Sequence, residues 1–137
     1  MPTSIEEVVS IVEQRVASFS KSIHLPVQKS ITEEIKRIVT IFRELRNGVS
    51  LDGKTKLKSP SGTLSTAEAI SVMNNGLALA YHFGDGSLKA DDIASGIIGS
   101  VIKDPVQDKI VMQEYMETVL KQKDGWKDIY RACRDIV

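Results

Sequence analysis

The sequence predicts an all-α protein, a small bundle of about five to six helices interrupted by one short β-hairpin insert. Three observations lead there. Apolar residues recur at three- and four-residue spacing through most of the 137 residues, which lays them along one face of successive helices. Three of these runs open with a serine followed three residues later by a glutamate, the spacing of a helix-capping box. Glycine and proline are concentrated between the runs and in one longer stretch, 48–64.

The first helix follows the Ser4 and Glu7 pair, with Ile5, Val8, Val9, Val12, Val16 and Phe19 as its apolar stripe. Residues 20–30 read as a loop, since Pro26 disrupts a helix interior and biases the residue before it toward extended geometry. His24 falls in this loop. Ser30 and Glu33 repeat the capping spacing, and Ile31, Ile35, Ile38, Val39, Phe42 and Leu45 mark a second helix that stops near Gly48. Arg43 and Arg46 stand three apart beside its last turn, where positive charge suits the carbonyl end of the helix.

The insert 48–64 is non-helical. Asp52 and Gly53 form a hairpin turn signal, with Leu51, Thr55 and Leu57 supplying short strands and Lys54, Lys56 and Lys58 alternating outward. Ser65 and Glu68 then cap the third helix, whose core run is Ala67, Ala69, Ile70, Met73, Leu77, Ala80, Tyr81 and Phe83. Gly76 inside it costs about 1 kcal/mol of helix propensity, so it marks a close helix crossing. A turn at Gly84, Asp85 and Gly86 ends that helix.

The fourth helix spans 88–103 and buries Ile93, Ile97, Ile98, Val101 and Ile102, with Asp91 and Asp92 in its favourable first turn. Gly96 and Gly99 imply tight packing there, and Asp104 with Pro105 breaks the helix. The fifth covers 106–122 through Ile110, Val111, Tyr115, Val119 and Leu120. Gly125 separates it from a last helix holding Trp126, Ile129, Tyr130 and Cys133.

Composition excludes several classes of function. Eighteen basic residues balance eighteen acidic ones, so no global field draws the chain to nucleic acid or to an anionic membrane. The stretch 43–58 is locally basic, with Arg43, Arg46, Lys54, Lys56 and Lys58 against Glu44 and Asp52. It lacks the aromatics of a nucleic-acid surface. No apolar run reaches membrane-spanning length, and the first twenty residues have neither signal- nor transit-peptide character. One cysteine, Cys133, permits no internal disulfide and suits a reducing, cytoplasmic setting, where it is expected to be buried. His24 and His82 belong to no metal-ligand pair, and Asp85, Asp91 and Asp92 do not have calcium-loop spacing.

One motif invites an enzymatic reading. Gly48, Gly53, Lys54 and Thr55 satisfy the G-x-x-x-x-G-K-T pattern of a nucleotide-binding phosphate loop. That loop requires a buried strand before it and a helix opening at the lysine, whose amide end faces the phosphates. Here helical periodicity precedes Gly48, and the residues after Thr55 include Ser59, Pro60 and Gly62, which cannot make the helix. The pattern is therefore expected to be a turn.

Three stretches carry a family resemblance: 41–48, ending Glu44-Leu45-Arg46-Asn47-Gly48; 62–70, around Ser65-Thr66-Ala67-Glu68; and 78–93, ending Asp91-Asp92-Ile93. In order and spacing they resemble the C-terminal lid region of a MoxR-like AAA+ ATPase. Arg46 looks like the arginine that ends the family's first lid helix, Ser65 like the opening of the next, and Asp92-Ile93 like the Asp-Val start of the one after. The resemblance implies a linker helix at 1–22, a lid-like helical domain at 23–103 and a C-terminal extension at 104–137 packing on the lid. It departs at one point. Members commonly place a sensor-2 arginine just after the opening serine, and this chain has none there, so that role is open only to Arg43 or Arg46.

The resemblance further implies a non-catalytic piece of an ATPase. Arg43, Arg46, Ser65 and Glu68 would lie near the face of the lid that meets the nucleotide. No cofactor belongs to this chain itself; ATP and Mg would be held by its own upstream ATPase core. A homo-oligomeric ring and a von Willebrand factor A-domain protein are the implied partners. Two other readings stand beside it: a freestanding helical protein-interaction module, and a small nucleotide-binding enzyme using residues 48–55.

Overall fold

The computed structural model describes residues 4–22, 31–60, 64–83 and 88–136. Within them the chain forms α1 (Ile5–Ser22), α2 (Ile31–Asn47), α3 (Thr66–Phe83), α4 (Ala90–Val101), α5 (Gln107–Thr118), a 3₁₀ turn (Leu120–Gln122) and α6 (Lys127–Ile136). The all-α class agrees with the sequence. The loop at His24 and Pro26, the Ser30 cap and the turn at Gly84 to Gly86 lie outside the described residues.

The serine half of two of the three capping boxes is formed. Ser4 Oγ accepts the Glu7 amide at 3.1 Å, and Ser65 Oγ accepts the Glu68 amide at 3.2 Å. At the start of α4 it is a carboxylate that caps: Asp92 Oδ2 accepts the Lys89 amide at 2.8 Å. That helix is shorter than its apolar run because Asp108, almost fully buried, takes the amides of Lys103 and Asp104 at 3.0 and 2.8 Å. Those bonds turn the chain away from the helix axis. Likewise α5 stops before 122: the Thr118 hydroxyl binds the Glu114 carbonyl at 2.6 Å, and the chain tightens into the 3₁₀ turn.

The expected β-hairpin insert is not formed. Among the described residues there is no strand, only an isolated antiparallel bridge between Val49 and Lys56. Two backbone bonds close it, Ser50 N–H to the Thr55 carbonyl at 2.9 Å and Leu57 N–H to the Gly48 carbonyl at 2.8 Å. Three further amides go to side chains instead of a ladder, Lys54 to Asp52, Thr55 to Ser50 Oγ and Leu51 to Glu44, while Gly53 turns back to the Ser50 carbonyl. Local side-chain acceptors outcompete a two-stranded ladder that is marginal by itself.

One apolar core draws on all six helices. In it α1 packs on α2 and α3, α3 lies along α4, and α4 in turn supports α6, so α4 is shared by both halves. Gly76 makes the α3–α4 crossing possible: a Cβ there would stand 2.8 Å from Ile93 Cγ2 and 3.3 Å from the Asp92 carbonyl. Gly96 faces Val72 in the same seam, whereas Gly99, expected to pack tightly, faces open space. Tyr81 and Ile110, read as core, are exposed; α3 and α5 each turn that side to solvent. The start of α6 is held by Arg37 of α2, which donates to Asp128 Oδ2 and to the Gly125 carbonyl, both at 2.8 Å. Its guanidinium also lies 5.8 Å from the centroid of the Trp126 ring.

Candidate functional site

The end of α2 is where the sequence placed its functional residues, and the fold divides them between two sides. Arg43 and Arg46, three apart on one face, line a shallow cleft with Leu64, Ser65 and Thr66 over Phe42. Arg46 donates to the Leu64 carbonyl at 3.4 Å, tying the end of α2 to the segment that opens α3. The cleft thus combines two guanidinium groups with the positive end of the α3 dipole, an arrangement suited to an anion. Glu68 does not join it. Its carboxylate, expected to fold back on its own cap, pairs instead with Lys103 Nζ at 3.2 Å, because the start of α3 lies beside the end of α4.

On the other side of α2 is the residue that sequence reasoning missed. Glu44 was counted only as an acid within a basic stretch, yet its side chain is fully buried. Oε1 accepts the Tyr115 hydroxyl at 2.7 Å, and Oε2 accepts the Leu51 amide at 2.9 Å and Lys123 Nζ at 3.2 Å. The backbone carbonyl of Glu44 also takes the amides of Gly48 and Val49, at 3.0 and 3.3 Å, as α2 ends on the left-handed Gly48. Sequence offered little signal: Glu44 lies three residues after Ile41 but off the apolar stripe that runs through Ile38, Phe42 and Leu45. Burial, and then the Glu44 charge, push the Tyr115 phenol well above its ordinary value of 10.0, so it remains a donor.

The phosphate-loop pattern has its letters but not its geometry. A helix precedes Gly48, and no helix opens at Lys54. The amides of Ser50, Leu51, Gly53, Lys54 and Thr55 are each bound within the protein, chiefly by Ser50, Asp52 and Glu44. None of these five is left to cradle a phosphate. Asp52 is held below its usual range by the Ser50 hydroxyl and the Lys54 amide, which keeps a negative charge at the loop. Lys54, Lys56 and Lys58 are exposed, and so is Leu51 at the tip.

The other reactive side chains are placed as follows. Cys133 is fully buried and desolvation pushes its thiol up to about 12, which makes it inert as a nucleophile. His82 is exposed at the last turn of α3, edge-on to Tyr81 with centroids 5.3 Å apart. Among the described residues no cluster of histidine, cysteine, aspartate or glutamate is arranged to hold a metal ion. No described helix is long and apolar enough to cross a membrane.

Comparison with known proteins gives this helical chain its relatives. It is 29% identical over 101 residues to the uncharacterized protein YehL of Escherichia coli (strain K12). The match takes in 72% of this chain but 27% of that protein, so the chain spans about a quarter of the relative's length. No solved structure matches it. The family model for the YehL-like AAA+ ATPase C-terminal domain covers residues 6–136, and the chain belongs to that family.

Proposed function

We propose that this chain is the non-catalytic lid of a MoxR-like ATPase, packing beside a nucleotide held elsewhere and relaying motion between subunits. In this reading 1–22 is the linker helix, 23–103 the lid and 104–137 an extension that packs on it. ATP and Mg belong to an upstream ATPase core in a homo-oligomeric cytoplasmic ring that remodels proteins in a chaperone-like way, with a von Willebrand factor A-domain protein as partner. What supports the reading is the shared cleft of Arg43, Arg46, Ser65 and Thr66, two cations beside a helix amide end. Arg43 and Arg46 are the groups that would face a phosphate.

The test is Arg46→Ala in the full ATPase. Hydrolysis should fall, by as much as about a thousandfold if Arg46 meets the transferring phosphate as a catalytic arginine does. Circular dichroism of this chain should be unchanged. Full turnover in a folded variant would reject the proposal. A freestanding interaction module is the second reading, favoured by the exposed Leu51 amid Lys54, Lys56 and Lys58. The internal bonding of the 48–55 amides speaks against the nucleotide-binding enzyme.

A further inference from the structure

We propose that Glu44 is a latch through which the C-terminal segment 104–137 holds the 48–55 loop, and the end of α2 with it, in a single arrangement. Withdrawing a carboxylate from water costs several kcal/mol unless its oxygens are fully partnered. Glu44 is wholly withdrawn, and its three partners come from three places: Leu51 in the loop, Tyr115 in α5 and Lys123 after the 3₁₀ turn. Two of the three belong to the C-terminal segment. If they leave, water must enter to solvate the carboxylate, and that water competes with the Leu51 amide for Oε2. Docking of the segment and docking of the loop are therefore linked through one side chain, and the linkage runs in both directions.

The surroundings show why packing does not do this job. Between the loop and the segment lies an open cleft of about 340 Å³, bounded by Ser50, Asp52 and Thr55 on one side and Thr118 and Gln122 on the other. Leu51, at the loop tip, leaves 52% of its surface in solvent. Across this gap the loop tip is joined to the segment through Glu44, which holds both the Leu51 amide and Lys123. Glu44 also receives the amides of Gly48 and Val49, the residues where the loop leaves α2. Arg43 and Arg46 lie on the other side of the same helix end, so a shift of that end at the latch also moves their cleft. That last consequence rests on the lid reading; the latch itself does not.

Backbone ¹⁵N relaxation on the whole chain tests it, comparing the wild type with Lys123→Met, Tyr115→Phe and the double variant. In the wild type the Leu51 and Thr55 amides should show order parameters near those of α2 and α3, about 0.85. Each single variant should lower them, and the double variant should bring them below about 0.6, with α2 and α3 unchanged. Loop values unchanged in every folded variant would overturn the latch, as would a fall shared by α2 and α3. Lys123→Met removes a partly exposed partner, so it keeps the test decisive if the double variant does not fold. No nucleotide is present, so this result is independent of the Arg46→Ala measurement on the ATPase.

Discussion

Tyr115 donates its phenolic hydrogen to Oε1 of Glu44 at 2.7 Å, a buried bond between residues 71 apart in the chain. It joins the last turn of α5 to the last turn of α2. Tyr115→Phe leaves that oxygen without its donor in a site water does not reach, which costs about 1–3 kcal/mol. Urea denaturation should show the midpoint falling with little change in slope. Glu44→Gln combined with Tyr115→Phe should destabilise by less than the sum of the single changes, since both act on one bond. Additive losses would mean the two side chains do not cooperate.

At the α3–α4 crossing, Gly76→Ala is expected to destabilise although alanine is the better helix former. The added methyl stands 2.8 Å from Ile93 Cγ2 with the Asp92 carbonyl behind it, so the helices must separate. Overpacking of this kind costs about 1–3 kcal/mol, more than the propensity gain of about 1 kcal/mol. Gly99→Ala, in open space, should raise the melting temperature by the propensity gain alone. Equal effects at the two sites would contradict the crossing geometry.

The Arg37–Asp128 pair makes stability depend on acid. Partial burial pushes the Asp128 carboxyl up, but the Arg37 hydrogen bond, the Ile129 amide and the Arg37 charge together outweigh it and hold the group below its ordinary 3.8. A depressed folded value means the contribution is present above the unfolded value of about 3.9 and is lost as pH falls through the folded one. Glu34 acts in the opposite sense. Burial raises its value against the pull of Arg37, so its contribution is lost as pH rises through that raised value. Asp128→Asn should cost about 0.5–1 kcal/mol at pH 7, a figure reduced for its exposure to solvent, and should flatten the stability curve below pH 4. Denaturant titrations between roughly pH 2 and 7 check both parts.

For residues 48–55, isothermal calorimetry of ATP against this chain should give no stoichiometric heat, and Lys54→Ala should leave the trace unchanged. The amides that a phosphate would need are bound to Ser50, Asp52 and Glu44. Saturable binding abolished by Lys54→Ala would reverse the assignment of this loop.

The helices and most of their ends were determined by the sequence by itself, because a helix needs only apolar spacing, a capping side chain and a glycine or proline stop. Ser4, Ser65 and Gly48 perform those roles within a few residues of where they are read. Gly76 was legible as a crossing for the same reason: a costly glycine inside a helix points to a neighbour. Arg43, Arg46 and Ser65 could be grouped because α2 and α3 are consecutive elements. Only the tertiary structure decided that Glu44 is a core residue, that Glu68 serves Lys103, and that the loop closes without strands. A carboxylate is stable inside a protein only when its donors arrive with it, and those of Glu44 come partly from segments about seventy residues away.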